Sequence, residues 1–236
     1  MSISRAPDAA SVAAAPAQTP PLRMIATLGL VSALCGLLIV SAYEGSLSAV
    51  QENRRIALER AVHQVLPGAH RIVPYFAAAD GQISAATGAE LPPGAIAFHA
   101  AYDAQGRLMG VAAEGAAKGY ADTVRVLFGW SAACSCVVGM SVVGMRETPG
   151  IGDKVLADAA FKANFAALDL RLNAEMKALA NEVRTVKHGT KTQPWQVDAI
   201  SGATVTSRAI GRAINDAAQA LLPRLSPRVE QIGKAP

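Results

Sequence analysis

Charge is scarce in this 236-residue chain: Asp, Glu, Lys and Arg together make up 17% of it, against 51% hydrophobic residues. Ordinary soluble domains carry about 25% charged residues, so the shortfall implies a segment that lives outside water. Aromatic residues supply only 5%, and the net charge of +4 comes from scattered Lys and Arg with no basic block. That pattern excludes nucleic acid as an expected partner. Histidine is rare as well, and His63, His70, His99 and His188 never approach metal-ligand spacing, so no metal site is expected. The chain also lacks a G-x-S-x-G motif, a carboxylate pair in a plausible cleft and a His-centred cluster, which leaves a hydrolase without support. Three cysteines, Cys35, Cys134 and Cys136, do not make a disulfide framework. On a strand Cys134 and Cys136 would point to the same face. A bridge between residues i and i+2 would be strained, and two thiolates fall short of a four-ligand metal site. They read as two small side chains near a strand end.

The missing charge is concentrated in one place. Residues 24–43 hold no formal charge at all, and about twenty such residues are what a helix needs to cross the hydrocarbon core of a bilayer. A cleavable signal peptide would have an apolar stretch of about 7–15 residues, and a lipoprotein would need small residues before its cysteine where Leu34 precedes Cys35. A retained transmembrane helix over 22–43 is therefore expected, with the lipid bilayer as its partner. Arg5, Arg23 and the amino terminus precede it, and Arg54, Arg55 and Arg60 follow it, so the positive-inside count is close to balanced.

Around this span the chain divides by composition. Residues 1–21, rich in Ala, Pro, Ser and Gln, read as a disordered tail, and 44–66 as a connecting helix ended by Pro67-Gly68. Apolar, β-branched runs at 71–77, 95–102, 107–113, 123–130 and 136–145 predict strands, separated by Gly-containing turns. Residues 155–168 read as a helix, 170–182 fit either a helix or a strand-loop-strand, and 196–200 read as a short strand. Val205, Ile210, Ile214, Ala217 and Leu221 form the apolar stripe of a last helix, which Pro223 is expected to stop. The elements predict an α+β domain over 67–223 and a C-terminal tail over 224–236.

Two segments could carry chemistry. Asp198-Ala-Ile-Ser-Gly-Ala-Thr-Val-Thr-Ser207 leads from a strand into the last helix. Unpaired N–H groups and a positive dipole at a helix start suit a phosphate, although Ser and Thr at such positions also serve plain N-capping. Arg146-Glu-Thr-Pro-Gly-Ile-Gly-Asp-Lys154 packs one proline and two glycines into nine residues. It is either a turn with Asp153 as N-cap or a loop whose bare backbone approaches a flat ligand.

These same residues carry a family resemblance. Glu147-Thr-Pro-Gly-Ile-Gly-Asp-Lys154 resembles the ETPGLGDK signature of the G subunit of Rnf electron-transport complexes. Asp198-Ala-Ile-Ser-Gly-Ala-Thr204 resembles the flavinylation motif Asp-x-x-Ser/Thr-Gly-Ala-Thr shared by that protein and by the C subunit of the sodium-translocating NADH:quinone reductase. The stretch 186–195 is similar too, so the resemblance covers roughly residues 22–222. The Asp153-Lys154 pair favours the Rnf type over the quinone-reductase type. The family's Gly-Tyr-Gly-Gly turn is Gly119-Tyr-Ala-Asp122 here, and 128–138 departs from the commonest bacterial version.

The resemblance implies an FMN-binding domain on the periplasmic side of the bacterial inner membrane, with FMN joined by a phosphoester to Thr204. A separate flavin transferase would make that bond from FAD, using magnesium. Asp198, Ser201, Gly202 and Ala203 would form the attachment loop, and Glu147, Thr148, Gly150 and Gly152 would lie near the flavin ring, with Thr148 its polar contact. No catalytic residue is expected. The chain would relay electrons beside other membrane subunits of an ion-translocating complex. Its alternatives are the C subunit of a quinone reductase, another flavinylated carrier, or a flavin-free anchored binding module.

Overall fold

The computed structural model describes residues 21–86 and 91–235, so the tail expected over 1–21 lies, except for Pro21, outside the described residues. The chain divides into two compact units at Asn53/Arg54. The first contains most of helix α1 (Pro21–Val65), the one helix among the described residues that is long and apolar enough to cross a membrane. Its large side chains, among them Leu28, Leu34, Leu38 and Ile39, are exposed all round, as a lipid-facing helix requires. The separate connecting helix expected from 44 onward is instead a continuation of α1. No proline interrupts that stretch, and a lone helical glycine such as Gly45 costs only about 1 kcal/mol.

The second unit is built on a seven-stranded sheet. In chain order the strands are β1 (Arg71–Ala77), β2 (Ile83–Ala85), β3 (Ile96–Tyr102), β4 (Leu108–Lys118), β5 (Thr123–Ser131), β6 (Cys136–Gly144) and β7 (Leu168–Asp169). They pair antiparallel in the order β2-β1-β3-β4-β5-β6-β7. Two short helices, α2 (Lys154–Ala157) and α3 (Ala159–Ala163), follow β6, and a parallel pair, β8 (Arg184–Val186) and β9 (Gln196–Asp198), precedes α4 (Thr204–Leu225). Strands and helices are mixed without strict alternation, which is the α+β architecture expected.

The sheet buries both faces, so its strands read as near-continuous apolar runs. On β5, Val124, Val126, Phe128 and Trp130 join the main core under α4, while Leu127 turns the other way into a cluster with Ala61, Val62, Val65 and Leu66. This second face is cut to shape by missing side chains. A Cβ at Gly129 or Gly139 would stand 2.7 or 2.6 Å from the Val65 carbonyl oxygen, closer than any side chain tolerates, so only glycine lets the end of α1 sit against the strands.

Several local expectations change. The helix expected over 155–168 is broken at Asp158, whose carboxylate caps α3 through Phe161 N (2.8 Å), and Leu168 has joined the sheet. Residues 170–182 form no helix. They fold back on themselves through a Leu172–Leu179 bridge, with Met176 at φ +56°. Gln219 and Asn215 of α4 accept hydrogen bonds from Leu179 N and Val183 N, replacing a helix's own acceptors. Nor does Pro223 stop α4, which runs on to Leu225 and into a 3₁₀ turn at Ser226–Ile232 where a tail was expected. In the last turn proline removes one bond, and burial of Leu221, Leu222, Leu225 and Ile232 outweighs it.

Cys134 and Cys136 are also not two independent side chains: they are joined by a disulfide. The strand spacing assumed for them fails because only Cys136 belongs to β6. Ser135 has φ +51°, and this curl brings the two Cα atoms to 5.1 Å, inside the range a disulfide accepts.

Candidate functional site

Three segments distant in sequence meet at one end of the sheet. They are the β4–β5 turn at 119–122, the loop at 147–153 after β6, and the entry to α4. Between them lies a cleft of about 340 Å³ lined by Tyr120, Glu147, Thr148, Ile151, Gly152 and residues 202–206.

The entry to α4 is built as an open helix start. Beyond β9 the chain turns at Ile200 through Ala203, closed by Ala203 N to Ile200 O (3.0 Å) with Gly202 at φ +84°. Buried Ser207 ties the turn down: its hydroxyl accepts from Ile200 N (3.2 Å) and donates to Ala203 O (2.9 Å). The first helical bond is Ser207 N to Ala203 O, and Ala203 offers no side-chain cap. The amides of Thr204, Val205 and Thr206 are therefore left without intrahelical acceptors at the positive end of a 22-residue helix. Thr204 is half-buried in the cleft wall, its hydroxyl making only a long 3.4 Å contact to Ile200 O.

Across the cleft, Glu147 works as a clamp. One carboxylate oxygen accepts from Tyr120 N (2.9 Å) and Ala121 N (3.3 Å), and the other from the Thr206 hydroxyl (3.3 Å). One side chain thus holds the β4–β5 turn, the 147–153 loop and the α4 start together. The fit is tight enough to demand glycines, since a Cβ at Gly119 would stand 2.2 Å from the Glu147 carboxylate and one at Gly152 would stand 2.6 Å from Glu147 Cβ. The loop closes on itself through Ile151 N and Gly152 N to Thr148 O (3.2 and 3.1 Å). Asp153 precedes α2 but makes no side-chain cap.

Asp198 stands outside the cleft lining. Its carboxylate accepts from Gly189 N (2.8 Å) and Thr190 N (3.3 Å), so it shapes the neighbouring 187–190 turn rather than an Asx-turn of its own. Its backbone is held by buried Asn164, which accepts from Asp198 N (3.0 Å) and donates to Asp198 O (3.4 Å). Asn164 also receives Lys191 Nζ at 3.1 Å. Burial lowers the Lys191 pKa, with the Asp198 charge opposing it.

Of the nine residues singled out from sequence, the fold brings Glu147, Thr148, Gly152, Gly202, Ala203 and Thr204 into one cleft. Ser201 is exposed on its rim, Gly150 is at the exposed tip of the loop with φ +77°, and Asp198 supports from behind. Sequence reading did not single out Tyr120, Ile151 and Val205 in the lining or Asn164 in the support, and it had Thr206 and Ser207 only as hydroxyls of the helix entry. Tyr120 had a signal, being the one retained side chain of a turn already noted as a departure. Asn164 had none.

The arrangement suits an anion at the α4 amides beside a flat group between loop and turn. Lys154 Nζ adds a cation, standing 3.7 Å from where a Gly202 Cβ would be. The donor set fits a phosphate, and Ile151, Val205 and the Tyr120 ring offer apolar walls to a flavin ring.

Comparison with known proteins agrees with this reading. Residues 119–219, which include the whole cleft lining, match the FMN-binding domain family. The chain is 33% identical over 101 residues to the G subunit of the Na(+)-translocating ferredoxin:NAD(+) oxidoreductase complex of Acetobacterium woodii, covering 43% of each protein. It thus spans less than half the length of that relative. To the G subunit of the ion-translocating oxidoreductase complex of Methanosarcina acetivorans it is 24% identical over 198 residues, covering 83% of this chain and 91% of that one. The structure is similar to NqrC of Shewanella oneidensis (TM-score 0.60, 20% identity, 77% of this chain and 98% of that chain). It is also similar to the C subunit of the Na(+)-translocating NADH-quinone reductase of Parabacteroides distasonis (TM-score 0.58, 16% identity, the same coverages). At these identities the two structures establish a shared fold.

Proposed function

We propose that this chain, which carries an FMN-binding domain, holds FMN as a phosphoester on Thr204 and serves as an electron-carrying member of a membrane-bound, ion-translocating oxidoreductase complex of the Rnf type. The observation that carries the attachment is the state of Thr204: first residue of α4, half-buried in the cleft wall, its hydroxyl weakly engaged and three open amides beside it.

Each part of the cleft has a role in this reading. The amides of residues 204–206 and the Lys154 ammonium receive the phosphate. Ile151, Val205 and Tyr120 flank the ring, and Thr148 is its polar contact. Glu147 keeps the walls at a fixed separation. FMN, when bound, supplies one- and two-electron chemistry, and the protein supplies placement and electrostatics. Among the described residues the cleft lining offers Thr204 one carboxylate, that of Glu147, which is already taken by three donors. A threonine hydroxyl is a weak nucleophile unaided, so a separate flavin transferase makes the bond. Exposed Ser201 and Gly202 leave it an approach, and Asp198 presents the loop by holding the turn behind it.

The apolar part of α1 anchors the chain in the bacterial inner membrane, with the FMN domain on the periplasmic side. A disulfide in that domain supports this sidedness, since disulfides persist in oxidising compartments. The remaining partners are the other membrane subunits of the complex, whose redox centres the flavin connects.

The test is the intact mass and in-gel flavin fluorescence of denatured protein co-expressed with a flavin transferase. Wild type heavier by one FMN residue, with mass gain and fluorescence lost in Thr204→Ala, is the expected result. An unmodified, colourless wild type alongside an active transferase would overturn the attachment and leave an anchored binding module.

A further inference from the structure

We propose that the Cys134–Cys136 disulfide is a redox-active site that exchanges with dithiols while the domain stays folded, a second redox function separate from the cleft. Three observations support it. The bridge joins residues only two apart, and a loop this short constrains the unfolded chain least, so its worth as a staple is small. Its surroundings hold without it: Ser131 pairs with Cys136 on the sheet, Cys136 pairs with Asp169 on β7, and Ser135 O accepts from Leu170 N at 3.0 Å. Its two residues differ in exposure, Cys134 being exposed and Cys136 buried. A bridge that contributes little to the fold and has one exposed and one buried partner is suited to exchange at the exposed end.

The asymmetry assigns the order of events. A thiolate of an incoming dithiol attacks Cys134 Sγ, the S–S bond breaks, and Cys136 leaves as the thiolate and takes a proton. The mixed disulfide on Cys134 is then resolved when the reductant's second thiolate attacks the reductant's own first sulfur, expelling Cys134. The net change is one protein disulfide reduced to two thiols and one dithiol oxidised to a disulfide, with two electrons and two protons transferred. The reverse sequence reoxidises the pair. The site lies at the far end of β5 from the cleft, roughly 26 Å away along the eight steps of about 3.3 Å that separate the first and last of its nine residues, so exchange does not depend on what the cleft holds.

The experiment uses the full chain in detergent, isolated without reductant and treated with dithiothreitol in native buffer. It is then acid-quenched, alkylated with N-ethylmaleimide and peptide-mapped, so that Cys35 is scored apart. The expected result is a Cys134–Cys136 disulfide before treatment, and two alkylated residues after it, with the thermal melt still cooperative. Denaturant should raise the reduction rate by less than about tenfold, since exchange needs no opening of the domain. With oxidised glutathione as the probe, Cys136→Ser should form a mixed disulfide on Cys134 with release of one glutathione thiolate, whereas Cys134→Ser should form almost none on the buried Cys136. Reduction that occurs only with denaturant, a melt lost on reduction, equal trapping by both variants, or two free thiols in protein isolated from an oxidising compartment would each overturn the proposal.

Discussion

Replacing Gly115 by alanine tests how closely α4 is seated, and with it the position of Thr204. Gly115 lies in β4 under the middle of α4. A Cβ there would stand 2.2 Å from the Ala213 carbonyl oxygen, 2.8 Å from its carbon and 3.2 Å from Ala217 Cβ. Ordinary van der Waals contact begins near 3.4 Å, so the helix would have to retreat by about 1 Å or slightly more. The obstructing atoms are backbone, which cannot rotate aside as a side-chain tip can. Overpacking costs about 1–3 kcal/mol, and a backbone obstruction belongs at the upper end. At roughly 2–4 °C per kcal/mol for a domain of this size, Gly115→Ala should melt about 6–12 °C below wild type. Because the displaced helix carries Thr204 at its first turn, flavin loading should also slow, by about 10–100-fold for a shift near 1 Å. Thermal denaturation followed by circular dichroism, together with a time course of flavin fluorescence, reads both effects. Gly144→Ala is the control, its nearest neighbour being the flexible Arg125 side chain at 3.5 Å, and it should stay within about 0.5 kcal/mol of wild type. A Gly115→Ala protein that melts with the control would refute the close seating of α4 on β4.

Other predictions follow from the site and the core. Glu147→Ala removes the acceptor of three hydrogen bonds, but water can reach the exposed Tyr120 and Ala121 amides. The cost should be about 1–2 kcal/mol in a urea midpoint, with slower flavin loading, and Glu147→Gln should recover part of both. A midpoint equal to wild type would show that the clamp is idle. Asn164→Ala leaves Asp198 N without its acceptor and frees Lys191. A loss of about 2–3 kcal/mol is expected, and unchanged stability would remove Asn164 from the support of the attachment loop. Burial lowers the His99 pKa below its ordinary 6.5, so the unfolded chain binds that proton more readily than the folded one. Its contribution is fully present above pH 6.5 and is lost as pH falls below it towards the folded pKa. Stability measured from pH 7.5 to 5 should fall more steeply for wild type than for His99→Gln, and parallel curves would refute this assignment.

The local physics of the chain was enough to read its framework. An uncharged run long enough for a bilayer identified α1, apolar and β-branched runs identified β1 and β3 through β6, and an apolar stripe after a Gly- and hydroxyl-rich turn identified α4. Those signals are legible because propensity and periodicity report what each segment must bury on its own. The cleft was legible only in part. Glu147, Thr148, Gly152 and residues 202–204 stood out through unusual local composition, whereas Tyr120 and Thr206 join Glu147 from 27 and 59 residues away. Their meeting depends on the register of β4, β5 and β6 and on the seating of α4, neither of which a local pattern encodes. The same holds for the glycines under Val65, for Asn164 behind Asp198, and for the continuation of α4 past Pro223, where core burial outweighed a local break. The cysteine pair shows the division most sharply. Their spacing was plain in the sequence, but whether they bond was decided by one left-handed residue, Ser135, in a turn whose backbone path is fixed by the strands on either side.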